Sequence, residues 1–214
     1  LSRLFVPTRP FDRGFTTQSG STLRTENGDT LYEYFALQLE SQLKLGAQDT
    51  HVGNYQLALL ADDGATVHIR SAPGAAAELL IDNDDVHPTR FKVATQPVYF
   101  DRNTRKPVEI RYFQGPRYHI SLIMMWRPWP ANPAEVADPL DGYTSNDDFF
   151  DSTQNPPAPQ ARYQELLNRG WRPLNADNYL LREGLNPCIY PTPQPTPPPT
   201  PRPTPTPAPD WSNF

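Results

Sequence analysis

Cysteine is nearly absent from this 214-residue chain. Cys188 stands alone, so no disulfide can close within it, and a single thiol does not fix the compartment. Basic residues are too few and too scattered to form a block or stripe. Lys and Arg number 19 against 24 Asp and Glu, the net charge is −5 and the pI is near 5.3. That balance excludes a nucleic-acid binder that works through a basic face. No apolar run approaches the roughly 18 residues that would span a bilayer as a helix. Catalytic signatures are missing as well. The four histidines, His51, His68, His87 and His119, show no metal-ligating spacing, and there is neither a Gly-x-Ser-x-Gly elbow nor a phosphate loop. No two acids are set apart as a glycosidase pair. The expectation is therefore a protein that is not an enzyme and that carries no nucleotide, haem or redox cofactor. The chain begins at Leu1, which fits either a leader already removed or a boundary within a longer protein.

Proline is abundant. Of 27 prolines, eleven fall between Pro191 and Pro209, and that Pro-Thr tract reads as a polyproline II spacer at about 3 Å per residue. Removing it leaves about 190 residues, enough for one domain with a real core. Within them, Phe35 to Leu45 (FALQLESQLKL) places Phe35, Leu37, Leu39, Leu43 and Leu45 on one parity and Ala36, Gln38, Glu40, Gln42 and Lys44 on the other. Period two marks a half-buried antiparallel strand. NYQLALL, TVHIR, AELLI, FKVATQPVYF, PVEIRYF and YHISLIMMW follow, each β-branched or aromatic and bounded by Gly, Pro, Asn or Asp. Seven runs about ten residues apart predict an all-β fold, an antiparallel β-sandwich or a barrel. The first 30 residues read as an irregular lead-in. After Trp129 the periodicity stops. The organisation expected is a sandwich over 1–129, an irregular extension over 130–190 packed on that domain, and a spacer or tail over 191–214. The extension contains one short helix near 161–168, with Tyr163, Leu166 and Leu167 on one side and Gly170 as its stop.

Candidate site residues lie in the turns. Asp62-Asp63-Gly64 joins two strands. Asp-Gly alone is a strong hairpin dipeptide, while two adjacent carboxylates are also a hard-cation motif when further oxygens complete six to eight positions. The run Asp82, Asn83, Asp84 and Asp85 lacks the spacing of a helix-loop-helix calcium loop and reads as a polar turn or a binding loop. Gly115-Pro116 makes a tight loop from which Gln114, Arg117 and Tyr118 are expected to project, where binding residues tend to sit. Trp126-Arg127-Pro128-Trp129 reads either as the closure of a core or as a sugar-stacking platform.

The order of these pieces resembles the PA-14 domain, the β-sandwich named for anthrax protective antigen and shared by flocculin-type adhesins and many bacterial surface proteins. The resemblance runs through FALQLESQLKL, GNYQLALLADDGATVHI, ELLIDNDDVHP and KPVEIRYFQGPRYHISLIMMW, about residues 11 to 129. It implies that a cis peptide joins Asp62 and Asp63, that the pair is a candidate Ca²⁺ ligand set, and that the ion binds sugar hydroxyls. The later loop that completes such sites occupies Phe113 to Tyr118 here and carries Gln114 in place of Asn. The resemblance further implies a lectin-like, calcium-dependent carbohydrate-binding or adhesion module, secreted, periplasmic or displayed at the cell surface. Its partner would be a glycan or cell-surface polysaccharide, and its ligand-binding residues Gln114, Arg117, Tyr118, Asn83 and Asp84. The alternatives are a metal-free structural or protein-interaction module, motivated by the long segment over 131–190, and an accessory domain of a glycan hydrolase.

Overall fold

Two antiparallel sheets packed face to face make up the computed structural model, which describes residues 4–15, 22–72 and 74–180. In chain order the strands are β1 (Phe5–Pro10), β2 (Phe35–Leu43), β3 (Gly53–Asp62), β4 (Ala65–Ile69), β5 (Glu78–Asn83), β6 (Arg90–Val93), β7 (Val98–Phe100), β8 (Lys106–Gln114) and β9 (His119–Pro128). Short pairings follow: β10 (Phe150–Asp151), β11 (Ala158–Pro159), the helix α1 (Ala161–Asn168), β12 (Arg172–Pro173) and β13 (Tyr179–Leu180). One sheet has the order β1-β9-β3-β6, with β12 added to β9 and β7 to β3. The other has the order β13-β2-β8-β4-β5. The expected all-β sandwich with a single short helix is the fold.

Alternation decides which side chains meet between the sheets. Tyr55, Leu57, Leu59 and Ala61 of β3, and Ile120, Leu122, Met124 and Trp126 of β9, point into the gap. There they pack on Val67, Ile81, Val108, Ile110 and Tyr112 of the facing sheet. Trp126 lies against Tyr55 at 4.6 Å and Phe100 at 5.5 Å between ring centroids, so it closes the core and offers no sugar platform. β2 alternates half-buried and exposed along most of its length, as its sequence predicts.

The other face of the first sheet is buried too. Ala58, Leu60, Phe91, Val93, Ile123 and Met125 form a second core with Leu140, Phe149, Phe150, Tyr163, Leu166 and Trp171 of the extension. The segment after Trp129 is thus a third layer. Each large apolar side chain it buries contributes roughly 1.5–3 kcal/mol. Helix α1 buries Tyr163 and Leu166, and the chain turns at Gly170, whose φ of 88° suits glycine.

A buried polar clasp fastens this layer. Asp138 accepts hydrogen bonds from Trp171 Nε1 (2.8 Å) and Leu140 N (2.9 Å), and pairs with Arg169 and with Arg127 (3.4 Å). The Arg127 guanidinium lies over the Trp171 ring at 4.5 Å and donates to Gln56 Oε1 at 2.8 and 3.0 Å.

Three sequence expectations need correction. The lead-in contains strand β1, which pairs with β9. Pro7, Pro10 and a register shift between Val6 and Arg9 hide it in the sequence, and an edge position tolerates them. FKVATQPVYF is two strands, β6 and β7, because the chain turns between Ala94 and Pro97. The extension is not wholly irregular, because it supplies edge strands to both sheets: β12 pairs with β9 and β13 with β2. Cys188 and the Pro-Thr tract lie outside the described residues.

Candidate functional site

Asp62 ends β3 and shares the parity of Ala58 and Leu60, so its side chain points away from the inter-sheet core and into a buried hydroxyl row. Thr89 Oγ1 donates to Asp62 Oδ2 at 3.4 Å and sits 3.2 Å from Ser121 Oγ and 2.9 Å from Thr8 Oγ1. The Asp62–Asp63 peptide is cis, and the Asp62 carbonyl accepts from Tyr112 Oη at 2.6 Å. Asp63 turns the opposite way and ties two loops together. Its Oδ1 accepts from His87 N at 3.1 Å, and its Oδ2 accepts from Gly115 N at 2.7 Å and Gln114 Nε2 at 3.3 Å. Gly64 follows because no other residue fits: a Cβ there would lie 2.2 Å from Phe113 Cε1 and 2.8 Å from Asp84 Oδ1.

Burial, and then the neighbouring Asp63 carboxylate, push Asp62 up to about 8. Burial also raises Asp63, against the hydrogen bonds from Gly115 and His87.

The donor set does not fit a calcium ion. Asp63 accepts three N–H groups, which leaves little free lone-pair capacity on its two oxygens. Gln114 presents its amide nitrogen to Asp63 and to the His119 carbonyl, and its oxygen to Tyr112. Among the described residues no third Asp, Glu, His or Cys completes a metal cluster with this pair.

The remaining sequence-predicted residues divide cleanly. Gln114 is buried, so it does not project from a loop tip; it holds the loop's base. Asn83 is also buried, clasped with Arg90 through both of its amide atoms. Asp84 is exposed, and its carboxylate caps the Asp85 amide at 3.1 Å. Arg117 is exposed and pairs with Glu33 at 3.3 Å. Tyr118 is 77% exposed.

Two residues that the sequence did not single out join them. Tyr34 is 75% exposed, and its amide donates to Gly115 O at 3.2 Å, so it stands beside the same loop. Tyr32, 42% exposed, lies edge-on to Phe11, whose amide donates to the Tyr118 carbonyl. Val86, another exposed apolar side chain, adjoins Gly115. Among the described residues the non-glycine positions with positive φ are Tyr34 (55°), Asp85 (126°) and Tyr118 (135°), and all three belong to this rim. Bulky residues adopt such backbone rarely, and it concentrates where a surface is shaped for contact. The rim therefore presents exposed aromatic rings and a guanidinium on loops whose bases are pinned by Asp63.

Comparison with known proteins gives a fold likeness only. No family model matches the chain, and no curated protein does. Similar solved structures include an anti-sigma factor domain-containing protein (14% identity, 59% of this chain and 36% of that one, TM-score 0.40). Another is the Epithelial Adhesin 6 A domain from Candida glabrata, solved in complex with Galb1-3GlcNAc (14% identity, 57% of each chain, TM-score 0.37). A third is the PA14 domain of the MpAFP antifreeze protein (16% identity, 61% of this chain and 65% of that one, TM-score 0.38). The chain thus spans between 36% and 65% of the length of these structures.

Proposed function

We propose that this protein is a carbohydrate-binding or adhesion module, secreted or displayed at a cell surface, that reads glycans through the loops at one end of the sandwich. The observation that carries the reading is the cluster of exposed tyrosines, Tyr34 and Tyr118 with Tyr32 beside them, around the Gly115–Tyr118 loop. A tyrosine ring offers an apolar face to the C–H side of a sugar and a hydroxyl to its rim. Arg117 adds donors for sugar hydroxyls. Asp63 acts at one remove, holding the His87 and Gly115 amides so that both loops keep their shape.

An open rim of this kind gives weak single-site binding, and adhesion then depends on several copies engaging together. Calcium has no part in this reading, and no catalytic residue is assigned. The protein-interaction alternative drew on segment 131–190. The described part of that segment covers the first sheet, as the structural form of that alternative expects, and the exposed tyrosine rim is the observation that favours the glycan reading over it.

A glycan array probed with wild type and with Tyr34→Ala/Tyr118→Ala, in calcium and in excess chelator, tests the proposal. Expected is a set of glycan signals lost in the double variant and unchanged by chelator. Absence of any glycan signal for the multivalent wild type would overturn it.

A further inference from the structure

We infer that a second subsite beside this rim, built from Arg9, Arg13 and Arg24, binds the oxyanion of an acidic glycan. The inference rests on the carbohydrate-binding reading and specifies the class of sugar. The pocket encloses about 330 Å³, at the lower end of small-ligand sites and about the size that one substituted sugar ring needs.

Its residues come together through local turns. β1 ends at Pro10, and the short turn Phe11–Arg13 swings Arg13 back beside Arg9. The tight loop closed by the Arg24–Thr30 bridge brings Arg24 to the same mouth, and Tyr32 follows directly. Arg13 uses Nη1 on the carbonyls of Gln154 (2.8 Å) and Ser152 (3.4 Å), and Arg24 uses Nη1 on Gly28 O (2.8 Å). Each is thereby oriented through one nitrogen, and neither meets a carboxylate among the described residues. Asp12 is the one acid among the described lining residues. Among the described lining residues three guanidiniums face one carboxylate, in a chain of net charge −5.

Arg9 is buried and donates to Pro7 O at 3.3 Å. Burial, then the charge of Arg13, lowers its pKa, the direction expected where positive charge is crowded out of water. Guanidinium groups match carboxylate and sulfate oxygens with paired N–H donors, which ammonium groups do not. The half-exposed Tyr32 ring at the pocket edge supplies the face on which the sugar carrying that oxyanion rests. This pairing of ring and guanidinium favours an acidic saccharide over a bare phosphate chain. Sulfate ester and uronate share the oxyanion chemistry, and the test separates them.

The experiment titrates the full chain with three hexasaccharides: chondroitin sulfate, unsulfated chondroitin (which keeps only the carboxylates), and a neutral chito-oligosaccharide. A single-stranded oligonucleotide of matched charge is the fourth arm. Wild type should bind at least one acidic hexasaccharide at least tenfold tighter than the neutral one. That preference should fall about tenfold in Arg24→Gln and further in Arg13→Gln/Arg24→Gln, with a thermal midpoint within about 3 °C of wild type. Preference for the sulfated form identifies sulfate as the group read; equal binding of both acidic forms identifies the carboxylate. As a check independent of folding, inorganic sulfate added to wild type should shift the side-chain Nε–Hε NMR signals of Arg13 and Arg24, and chloride at equal ionic strength should not. Acidic-glycan binding that survives both substitutions overturns the assignment. So does oligonucleotide binding of equal strength that responds to the same substitutions. Failure of the rim reading would show instead as neutral-glycan signals indifferent to Tyr34→Ala/Tyr118→Ala.

Discussion

Asp138→Ala removes the acceptor at the centre of the clasp that binds the extension to the first sheet. The carboxylate is fully buried and serves two cations and two N–H donors: Arg127 at 3.4 Å, Arg169, Trp171 Nε1 at 2.8 Å and Leu140 N at 2.9 Å. Truncation leaves Arg127 buried without its counter-charge, and breaking such a pair by removing one partner costs about 3–5 kcal/mol. The unsatisfied indole and backbone N–H groups place the loss toward the upper end of that range. For a unit of this size each kcal/mol moves the thermal midpoint by roughly 2–4 °C, so a drop of about 6–20 °C is expected. Differential scanning calorimetry measures it. Trp171 fluorescence and limited proteolysis between residues 131 and 170 show whether the third layer loosens first. Asp138→Asn should recover only part of the loss, because an amide accepts through one atom and cannot neutralise Arg127. A midpoint within 2 °C of wild type for Asp138→Ala would refute the claim that the extension is an integral layer held by this clasp.

Other expectations follow from the turn. Asp62 is raised in the folded state, so the stability it contributes is fully present below the unfolded carboxylate value near 4 and is lost as pH rises through about 8. Compared with wild type, Asp62→Asn should therefore gain in thermal midpoint between pH 5 and pH 9; an unchanged difference across that range would contradict the burial argument. Gly64→Ala forces a methyl group onto the Phe113 ring and should cost about 1–3 kcal/mol, measured by urea unfolding. Millimolar Ca²⁺ should leave the wild-type midpoint unmoved in the same calorimeter, since the Asp63 oxygens already accept amide protons.

The sequence reveals the fold more readily than the site. Alternation in Phe35 to Leu45 marks β2 as a strand with one wet face. The unbroken apolar runs of β3 and β9 carry a further message: a strand without alternation has both faces covered. That message calls for a third layer, and the irregular, proline-broken stretch after Trp129 supplies it through Phe149, Phe150, Leu166 and Trp171. Apart from Leu166, which the helical spacing of Tyr163, Leu166 and Leu167 marks, no periodicity announces those residues, because loops and a two-residue strand deliver them. The Asp-Asp-Gly turn is plain in the sequence, yet the direction in which each carboxylate faces is not. One step of strand parity sends Asp62 to the threonines and Asp63 to the loop amides. Gln114 and Asn83 read as binding residues only while their burial is unknown. Tyr34, and the grouping of Arg9, Arg13 and Arg24, depend on contacts between segments that the lead-in and the β8–β9 loop make in space, and no spacing along the chain encodes them.

The most direct test of the central claim is binding of the glycan that gives the strongest array signal to wild type and to Tyr118→Ala, each with calcium and with excess chelator. Tyr118 is so exposed that its loss should leave the fold intact. The account predicts at least a fivefold loss of affinity in Tyr118→Ala and identical wild-type affinity in calcium and chelator. Equal binding by wild type and variant, or binding abolished by chelator alone, would contradict it.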